Sequence, residues 1–140
     1  MSKYFKLEEF LKSSTALKNK IDNSPSWKIV EHLKELATLL DDIREAWGKP
    51  IFINSGFRSP LLNKAVGGVA TSGHLYGWTA DIRTDGDLVE FAEFIYNFLT
   101  TNKIKYDELI FEKVKGSTWI HFAYKGLNGR QRMKHFNIER

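Results

Sequence analysis

Cysteine is absent from this chain of 140 residues. Its absence excludes disulfide bonds, thiolate metal sites and a cysteine nucleophile. If the protein binds a metal ion, histidine, aspartate and glutamate are therefore the strong ligands available to it. A serine nucleophile elbow is also missing, and Gly67-Gly68-Val69 lacks the lysine and the spacing of a phosphate-binding loop.

Long apolar runs are missing as well. No stretch approaches the roughly 20 consecutive apolar residues that a membrane-spanning helix needs. The amino terminus carries Glu8 and Glu9 where a secretory signal would have an apolar core. We therefore expect no membrane partner and no signal peptide, with accumulation of the protein in the cytoplasm.

Positive charge is in modest excess, because 21 Lys and Arg residues outnumber 17 Asp and Glu residues to give a net charge of +4. Such an excess suits an anionic partner, either nucleic acid or the bacterial cell wall. The basic residues are dispersed, apart from a tail cluster of Arg130, Arg132, Lys134 and Arg140. A dispersed excess is more typical of solubility than of a binding face. Since no nucleic-acid-binding motif accompanies it, we expect no nucleic-acid partner.

The apolar pattern predicts one α+β domain. Apolar residues recur at three- and four-residue steps between Ser26 and Trp47, which is the period of an amphipathic helix. A similar stripe predicts a second long helix from Asp87 to Thr101. The predicted elements are helices over 5–18, 26–47, 59–66 and 87–101, and strands over 50–54, 79–83, 106–114 and 118–124. We expect the helices to pack on one side of a small, mainly antiparallel sheet.

Two histidines and a carboxylate form a candidate metal set. His74 and Asp81 lie seven residues apart, and His121 follows after a further forty residues. Two imidazole nitrogens and one carboxylate oxygen suit Zn²⁺, and three protein ligands leave a fourth position for water. By spacing alone, a capping histidine and an ion-paired aspartate fit equally well. Of the other histidines, His32 has no second ligand at helical spacing and is expected at the surface or half-buried, and His135 in the tail is expected at the surface.

The residues around this set carry a more specific pattern. Ser55-Gly56-Phe57-Arg58-Ser59 precedes Asn63 and Gly67-Gly68, Ser72 and Gly77 flank His74, and Trp119-Ile120 precedes His121. This succession resembles the M15 family of zinc peptidases, whose pattern is S-G-[FY]-R-S-x-x-x-N, a Gly-Gly turn, S-x-H-x-x-G-x-A-x-D and a later W-[VI]-H. The resemblance extends loosely from about residue 5 to residue 124. It is strongest to small D-Ala-D-Ala carboxypeptidase-like members from bacteria and their phages.

One position departs from the family pattern. Thr79 stands where the family usually has alanine. The change is small and leaves the three candidate ligands in place, so it concerns packing rather than metal binding.

The resemblance implies a hedgehog-type peptidase fold in which His74, Asp81 and His121 hold Zn²⁺. The family's general base often lies three residues before the second histidine, where this chain has Thr118, which cannot act as a base. The run from Tyr106 to Glu112 resembles a strand of related members that ends in a glutamate beside the zinc. Glu112 is therefore the predicted base. The alternatives are Glu108, or a solvated Glu112 that pairs with a neighbouring lysine of the hairpin.

The alternation of side chains along the two strands bears on the choice of Glu112 as the base. Trp119, His121 and Ala123 share one face of their strand, because side chains alternate. We expect the connection at Lys115-Gly116-Ser117 to close a hairpin. With an even number of loop residues, Glu112 and His121 lie on the same face as diagonal neighbours.

Three further residues are predicted to bind substrate. A guanidinium can hold a carboxylate through two parallel hydrogen bonds, so Arg58 is expected to bind the carboxylate of a peptide's end. The alternative for Arg58 is a structural role in bracing its loop. Ser72 is expected to hydrogen-bond the substrate or its own loop, and Trp119, with Tyr76, to form a wall of the cleft.

These patterns together favour a single zinc peptidase domain over residues 1–140, with an N-terminal helix and turn at 1–25, a core at 26–126 and a polar, basic tail at 127–140. The resemblance implies that its substrate is a peptidoglycan stem peptide or muropeptide, cut by a monomer of carboxypeptidase or endopeptidase type. The expected absence of a signal fits a phage or prophage lysis protein that acts at the cell wall after release through a separate pore, and it fits a cytoplasmic dipeptide-trimming enzyme equally. The alternative is a zinc-stabilised binding module without catalytic activity, and the absence of an acid at position 118 is the main support for it.

Overall fold

The computed structural model describes residues 1–135, so Arg140 and the end of the predicted tail lie outside the described residues. The helices are α1 (Leu7–Leu11), α2 (Ser14–Lys18), α3 (Trp27–Trp47), α4 (Pro60–Ala65) and α5 (Leu88–Thr101), with a 3₁₀ turn at Gly73–Tyr76. The strands are β1 (Ile51–Ser55), β2 (Thr79–Thr84), β3 (Glu108–Val114), β4 (Ser117–Ala123) and β5 (Lys134–His135). Among these residues, no helix combines the length and the apolar character needed to cross a bilayer.

The strands form one sheet in the order β1-β2-β4-β3-β5. The pairs β1–β2, β2–β4 and β4–β3 are antiparallel, whereas β5 runs parallel to β3. Helices packed with a five-stranded mixed sheet confirm the α+β class. Alternate residues of the central strands, such as Ile82, Ile120 and Phe122, are fully buried in a core shared with α3 and α5. The residues between them point to the other face of the sheet.

Local sequence explains why the two long helices form where they do. The Ser26 side chain accepts a hydrogen bond from Ile29 N at the start of α3, and Gly48 ends the helix in the left-handed conformation at φ 79°. Asp87 caps α5 by accepting from the backbone N–H groups of Val89 and Glu90. Both helices bury the predicted apolar stripe, which stabilises the fold by about 1.5–3 kcal/mol for each fully buried Leu or Ile.

The amino-terminal prediction is wrong in detail. Residues 5–18 form two short helices rather than one, because Lys12 is extended and Ser13 caps a new helix by accepting from Ala16 N. Leu17, expected on the apolar face, is 81% exposed. Phe5 and Phe10 nevertheless join the main core, which ties this segment to the rest of the fold.

The hairpin of β3 and β4 has a two-residue turn rather than the three residues expected. Val114 pairs with Ser117, so only Lys115 and Gly116 form the turn. Both have positive φ, 49° and 85°, as a type I′ turn requires. The loop is therefore even, and the register pairs Ile110 with His121 and Glu112 with Trp119. Glu112 is thus a diagonal neighbour of His121, as predicted for an even loop.

Thr79 is fully buried in β2, and its hydroxyl has no hydrogen-bond partner among residues 1–135. A Cβ at Gly73 would lie 2.2 Å from that hydroxyl oxygen, so the turn that carries His74 passes directly over Thr79. In the same strand, the hydroxyl of Thr84 donates to Pro50 O and accepts from Trp47 Nε1, both at 2.8 Å. Both threonines are buried in β2, but within residues 1–135 only the hydroxyl of Thr84 has hydrogen-bond partners.

This contrast predicts different costs for one substitution. Thr79→Ala removes an unpaired buried hydroxyl together with a methyl group, so we expect the free energy of unfolding to change by less than about 1 kcal/mol. Thr84→Ala leaves Trp47 Nε1–H and Pro50 O without a partner and should cost about 1–3 kcal/mol. Urea unfolding of both variants measures the difference. Equal losses would mean that Thr79 has a partner in solution.

Candidate metal centre

Three different elements bring His74, Asp81 and His121 together. His74 lies in the 3₁₀ turn, whose start Ser72 caps by accepting from His74 N at 3.1 Å. Asp81 and His121 are directly paired across the antiparallel strands β2 and β4. One ligand atom from each of the three residues lies within 4.8 Å of the other two. Among residues 1–135, these three residues form the one group of three or more histidine and acidic side chains close enough together to hold a metal ion.

The hydrogen bond of His74 fixes which of its nitrogens faces the site. Nδ1 lies 2.6 Å from the carbonyl oxygen of Gly56. A carbonyl can only accept, so Nδ1 carries a proton and Nε2 is the nitrogen available to a metal ion. Nε2 lies 3.3 Å from Asp81 Oδ2.

His121 faces the site with its other nitrogen. Nδ1 lies 3.1 Å from Asp81 Oδ1, while Nε2 lies 3.2 Å from Glu108 Oε1 on the far side of the ring. A proton on Nε2, donated to Glu108, leaves the Nδ1 lone pair available. Such a carboxylate behind a metal-binding histidine sets its tautomer and its ring orientation.

The spacing of the donor atoms suits a tetrahedral ion. Ligands at about 2.0–2.2 Å from such an ion are separated from one another by roughly 3.3–3.5 Å. His74 Nε2 lies 3.3 Å from Asp81 Oδ2 and His121 Nδ1 lies 3.1 Å from Asp81 Oδ1, and one donor atom from each residue lies within 4.8 Å of the other two. Two imidazoles and a carboxylate are donors that Zn²⁺ accepts. The residues present therefore fit a zinc ion.

The charged groups of the site shift one another's pKa values. Burial raises the pKa of Asp81, but hydrogen bonds and charge from His121 and His74 outweigh it and hold that pKa far below its ordinary value. Burial lowers the pKa of His121, but the hydrogen bonds and negative charges of Asp81 and Glu108 hold it above its ordinary value. Asp81 is thus a carboxylate throughout the neutral range, whereas His121 gives up a proton when its Nδ1 binds a metal.

The two candidate bases occupy different sides of His121. Glu112 Oε1 lies 3.4 Å from Nδ1, the nitrogen that faces the metal position, and this side chain is 36% exposed. Glu108 contacts Nε2 and also lies 3.3 Å from Arg132 Nη2. Glu108 therefore contacts Arg132 and the Nε2 side of the His121 ring, whereas Glu112 lies on the Nδ1 side, which faces the candidate metal position.

Arg58 contacts the same cluster through Asp81. Its Nε donates to Ser55 Oγ and its Nη1 to Asn63 Oδ1, both at 3.2 Å, while Nη2 lies 3.5 Å from Asp81 Oδ2. The side chain is 16% exposed. These contacts are those of the loop-bracing alternative, and they also leave two of its five N–H donors for another partner. Binding of substrate by Arg58 stays a prediction.

A cleft of about 380 Å³ opens over His121. One wall is formed by residues 69–78, where Tyr76 and Trp78 stack at 4.9 Å, and the other by Glu108, Ile110 and Glu112 of β3. Ser72 lies in the lining. Trp119 shares the face of His121 but is not among the lining residues, and its Nε1 is buried without a partner within residues 1–135. The roles predicted for Ser72 and Trp119 are not tested by this arrangement.

Sequence reasoning missed part of the cleft. Lys125, Arg132 and Lys134 line its end, and Lys125 Nζ lies 5.4 Å from the centre of the Trp78 ring. The basic tail cluster is visible in the sequence, but the sequence assigns it no place in the site. Nothing in its spacing indicated that β5 pairs with β3 and brings the tail to the cleft.

The fold thus carries two histidines and an aspartate in an arrangement that can hold a metal ion. A family model described as Peptidase M15 matches residues 3–123, and the chain belongs to this family. The resemblance inferred from the motifs is thereby confirmed. The chain is also similar to the zinc D-Ala-D-Ala carboxypeptidase of Streptomyces albus G, at 50% identity over 44 residues. That match covers 31% of this chain and 17% of the Streptomyces protein.

The raised pKa of His121 predicts how the stability of the metal-free protein depends on pH. A folded-state pKa above the unfolded value of about 6.5 contributes stability that is complete below that value and is lost as the pH rises through the folded-state pKa. With chelator present, we expect the free energy of unfolding to fall as the pH rises above about 6.5. Urea titrations across this range measure it. The His121→Asn variant should lack the part of this decrease that His121 contributes. If the free energy of unfolding falls with pH at the same slope in both proteins, the dependence belongs to other groups.

Proposed function

We propose that this chain is a zinc-dependent peptidase that hydrolyses a peptide bond in the stem peptides of bacterial peptidoglycan, as a carboxypeptidase of D-Ala-D-Ala type or as an endopeptidase. One observation carries the proposal: His74 Nε2, Asp81 and His121 Nδ1 converge beside Glu112, and His121 and Glu112 line the cleft. Membership of the M15 family supports the reaction class. The substrate class is supported by the name of the Streptomyces relative. We further propose that residues 1–140 form one hedgehog-type peptidase domain.

In this proposal His74, Asp81 and His121 hold Zn²⁺. When bound, zinc polarises the scissile carbonyl and lowers the pKa of water in its open position. The chain's own residues orient the ligands: the Gly56 carbonyl holds His74 and the Glu108 carboxylate holds His121, each through the nitrogen that does not face the metal position.

Glu112 is proposed as the general base. Its carboxylate accepts a proton from the attacking water and returns the proton to the leaving amine. Its position on the Nδ1 side of His121, with more than a third of the side chain exposed to the cleft, suits a group that must reach both water and substrate. Arg58, Ser72 and Trp119 are proposed to bind the substrate.

Thr118 no longer argues strongly for an inactive binding module. Alternation along β4 places residue 118 on the opposite face from His121. Thr118 is exposed there and pairs with Lys113. An acid at this position would therefore point away from the candidate metal site, so its absence does not remove a base from the cleft.

Cleavage of defined muropeptides, followed by mass spectrometry, tests the proposal. We expect products that disappear with chelator and return with zinc. Glu112→Gln should reduce kcat by about 10²- to 10⁴-fold, the usual contribution of general acid–base catalysis, with zinc binding retained. Glu90→Gln, the same change at an exposed residue of α5 outside the cleft lining, is the matched control and should keep full activity.

The possible failures are distinct. Cleavage that survives chelation would remove the zinc mechanism. Full activity in Glu112→Gln would move the base to another residue. A zinc-loaded protein that binds muropeptides and never cleaves them would establish the binding module instead.

A further inference from the structure

The carboxyl-terminal segment over 124–135 lies beyond the residues that the family model matches, yet it contributes to the cleft. Two backbone hydrogen bonds hold it beside β3, from Met133 N to Tyr106 O and from Lys134 N to Asp107 O, both at 2.9 Å. Its place next to the strand that carries Glu108 is therefore set by the main chain.

Within this segment, Arg132 binds a buried acid with both arms of its guanidinium. Asp107 is 2% exposed. Arg132 Nε lies 2.9 Å from its Oδ1 and Nη2 lies 2.8 Å from its Oδ2, while the backbone N–H of Arg132 also donates to Oδ1 at 3.1 Å. A bidentate arginine–carboxylate pair fixes the orientation of both groups. The position of the guanidinium is thus determined by Asp107.

The same guanidinium continues to the metal site. Arg132 Nη2 lies 3.3 Å from Glu108 Oε1, and this oxygen lies 3.2 Å from His121 Nε2. One carboxylate oxygen is therefore shared between an anchored cation and the imidazole ring. The sequence of contacts runs from Asp107 through Arg132 and Glu108 to His121.

We propose that Arg132 is a positioning residue of the metal site: anchored on Asp107, it fixes Glu108, and Glu108 holds the His121 ring with Nδ1 towards His74 and Asp81. The inference rests on the proposed function, because it takes His121 as a zinc ligand. It extends that function to a residue outside the part of the chain that the family model covers.

The sign of the effect on metal affinity makes the inference testable. Removing Arg132 takes a positive charge away from the neighbourhood of a cation site, and by charge alone this strengthens zinc binding. Loss of ring orientation has the opposite effect, because residues behind a ligand typically contribute 10- to 100-fold to metal affinity. A weaker site in the variant therefore reports positioning and not charge.

The measurement is the zinc dissociation constant of the full chain, obtained by competition with a chromophoric chelator. We expect Arg132→Ala to raise this constant by about 10-fold. Arg130→Ala removes the same charge from the same segment, where Arg130 is exposed and its side chain has no hydrogen bond or ion pair with residues 1–135, and should leave the constant unchanged. Unchanged or tighter zinc binding in Arg132→Ala would overturn the inference.

A double-mutant cycle with Glu108→Ala separates positioning from a general loss of structure. If Arg132 acts through Glu108, then Arg132→Ala should have no further effect on the zinc constant in the Glu108→Ala background. Additive effects would show that Arg132 acts only through the fold and would overturn the inference. Should thermal unfolding show that Arg132→Ala does not fold, Arg132→Lys in both backgrounds gives the same test, because lysine keeps the charge but cannot contact both carboxylates as a fork.

Failure of the two proposals is distinguishable. Zinc binding that is absent, or that survives His121→Ala at full strength, would remove the proposed function and this inference with it. Zinc binding that depends on His121 but not on Arg132 would leave the proposed function in place and overturn the positioning role alone.

Discussion

The carboxylate of Asp81 is the constraint on which the rest of the site depends. It is 10% exposed and lies within 3.5 Å of nitrogens from His74, His121 and Arg58. An isolated charge at such a position would be strongly unfavourable, so each of these partners is also part of what stabilises the fold. The pairing of β2 with β4 places Asp81 opposite His121 through the backbone alone. The site therefore begins with a cross-strand pair, to which His74 and Arg58 are added from two loops.

Those loops depend in turn on the amino-terminal segment. The His74 ring donates to Gly56 O, and the backbone of His74 accepts from Arg58 N at 3.0 Å. Gly56 packs against Phe10 so closely that a Cβ would lie 2.6 Å from the Phe10 carbonyl oxygen, which itself accepts from Phe57 N. Helix α1 thus packs against the Gly56–Phe57 segment that hydrogen-bonds His74, although none of its residues belongs to the metal-binding pattern. Only glycine allows this approach.

The sequence predicted those parts of the structure that local chemistry determines. The stripes of α3 and α5, the Ser59–Pro60 start of α4 and the face of His121 all follow from periodicity and capping, and the structure contains each of them. The break at Lys12 was missed, since a cap residue inside an amphipathic run competes with the helix on nearly equal terms. The pairing of β5 with β3 was also missed, because two residues carry no readable alternation. Nor does the sequence indicate the role of Arg132, because its partner Asp107 is 25 residues away in sequence and close only in the fold.

The period of the strand also makes the site sensitive to register. Ile120 and Phe122 of β4 are fully buried in the core, while His121 between them faces the cleft. A slip of one residue would exchange these two faces, burying the imidazole and exposing both apolar side chains. The core therefore opposes any slip that would remove the ligand, and the two-residue turn at Lys115 and Gly116 adds a second restriction from the other end. Hydrophobic burial on one face of the sheet in this way fixes the positions of Glu112 and His121 on the other.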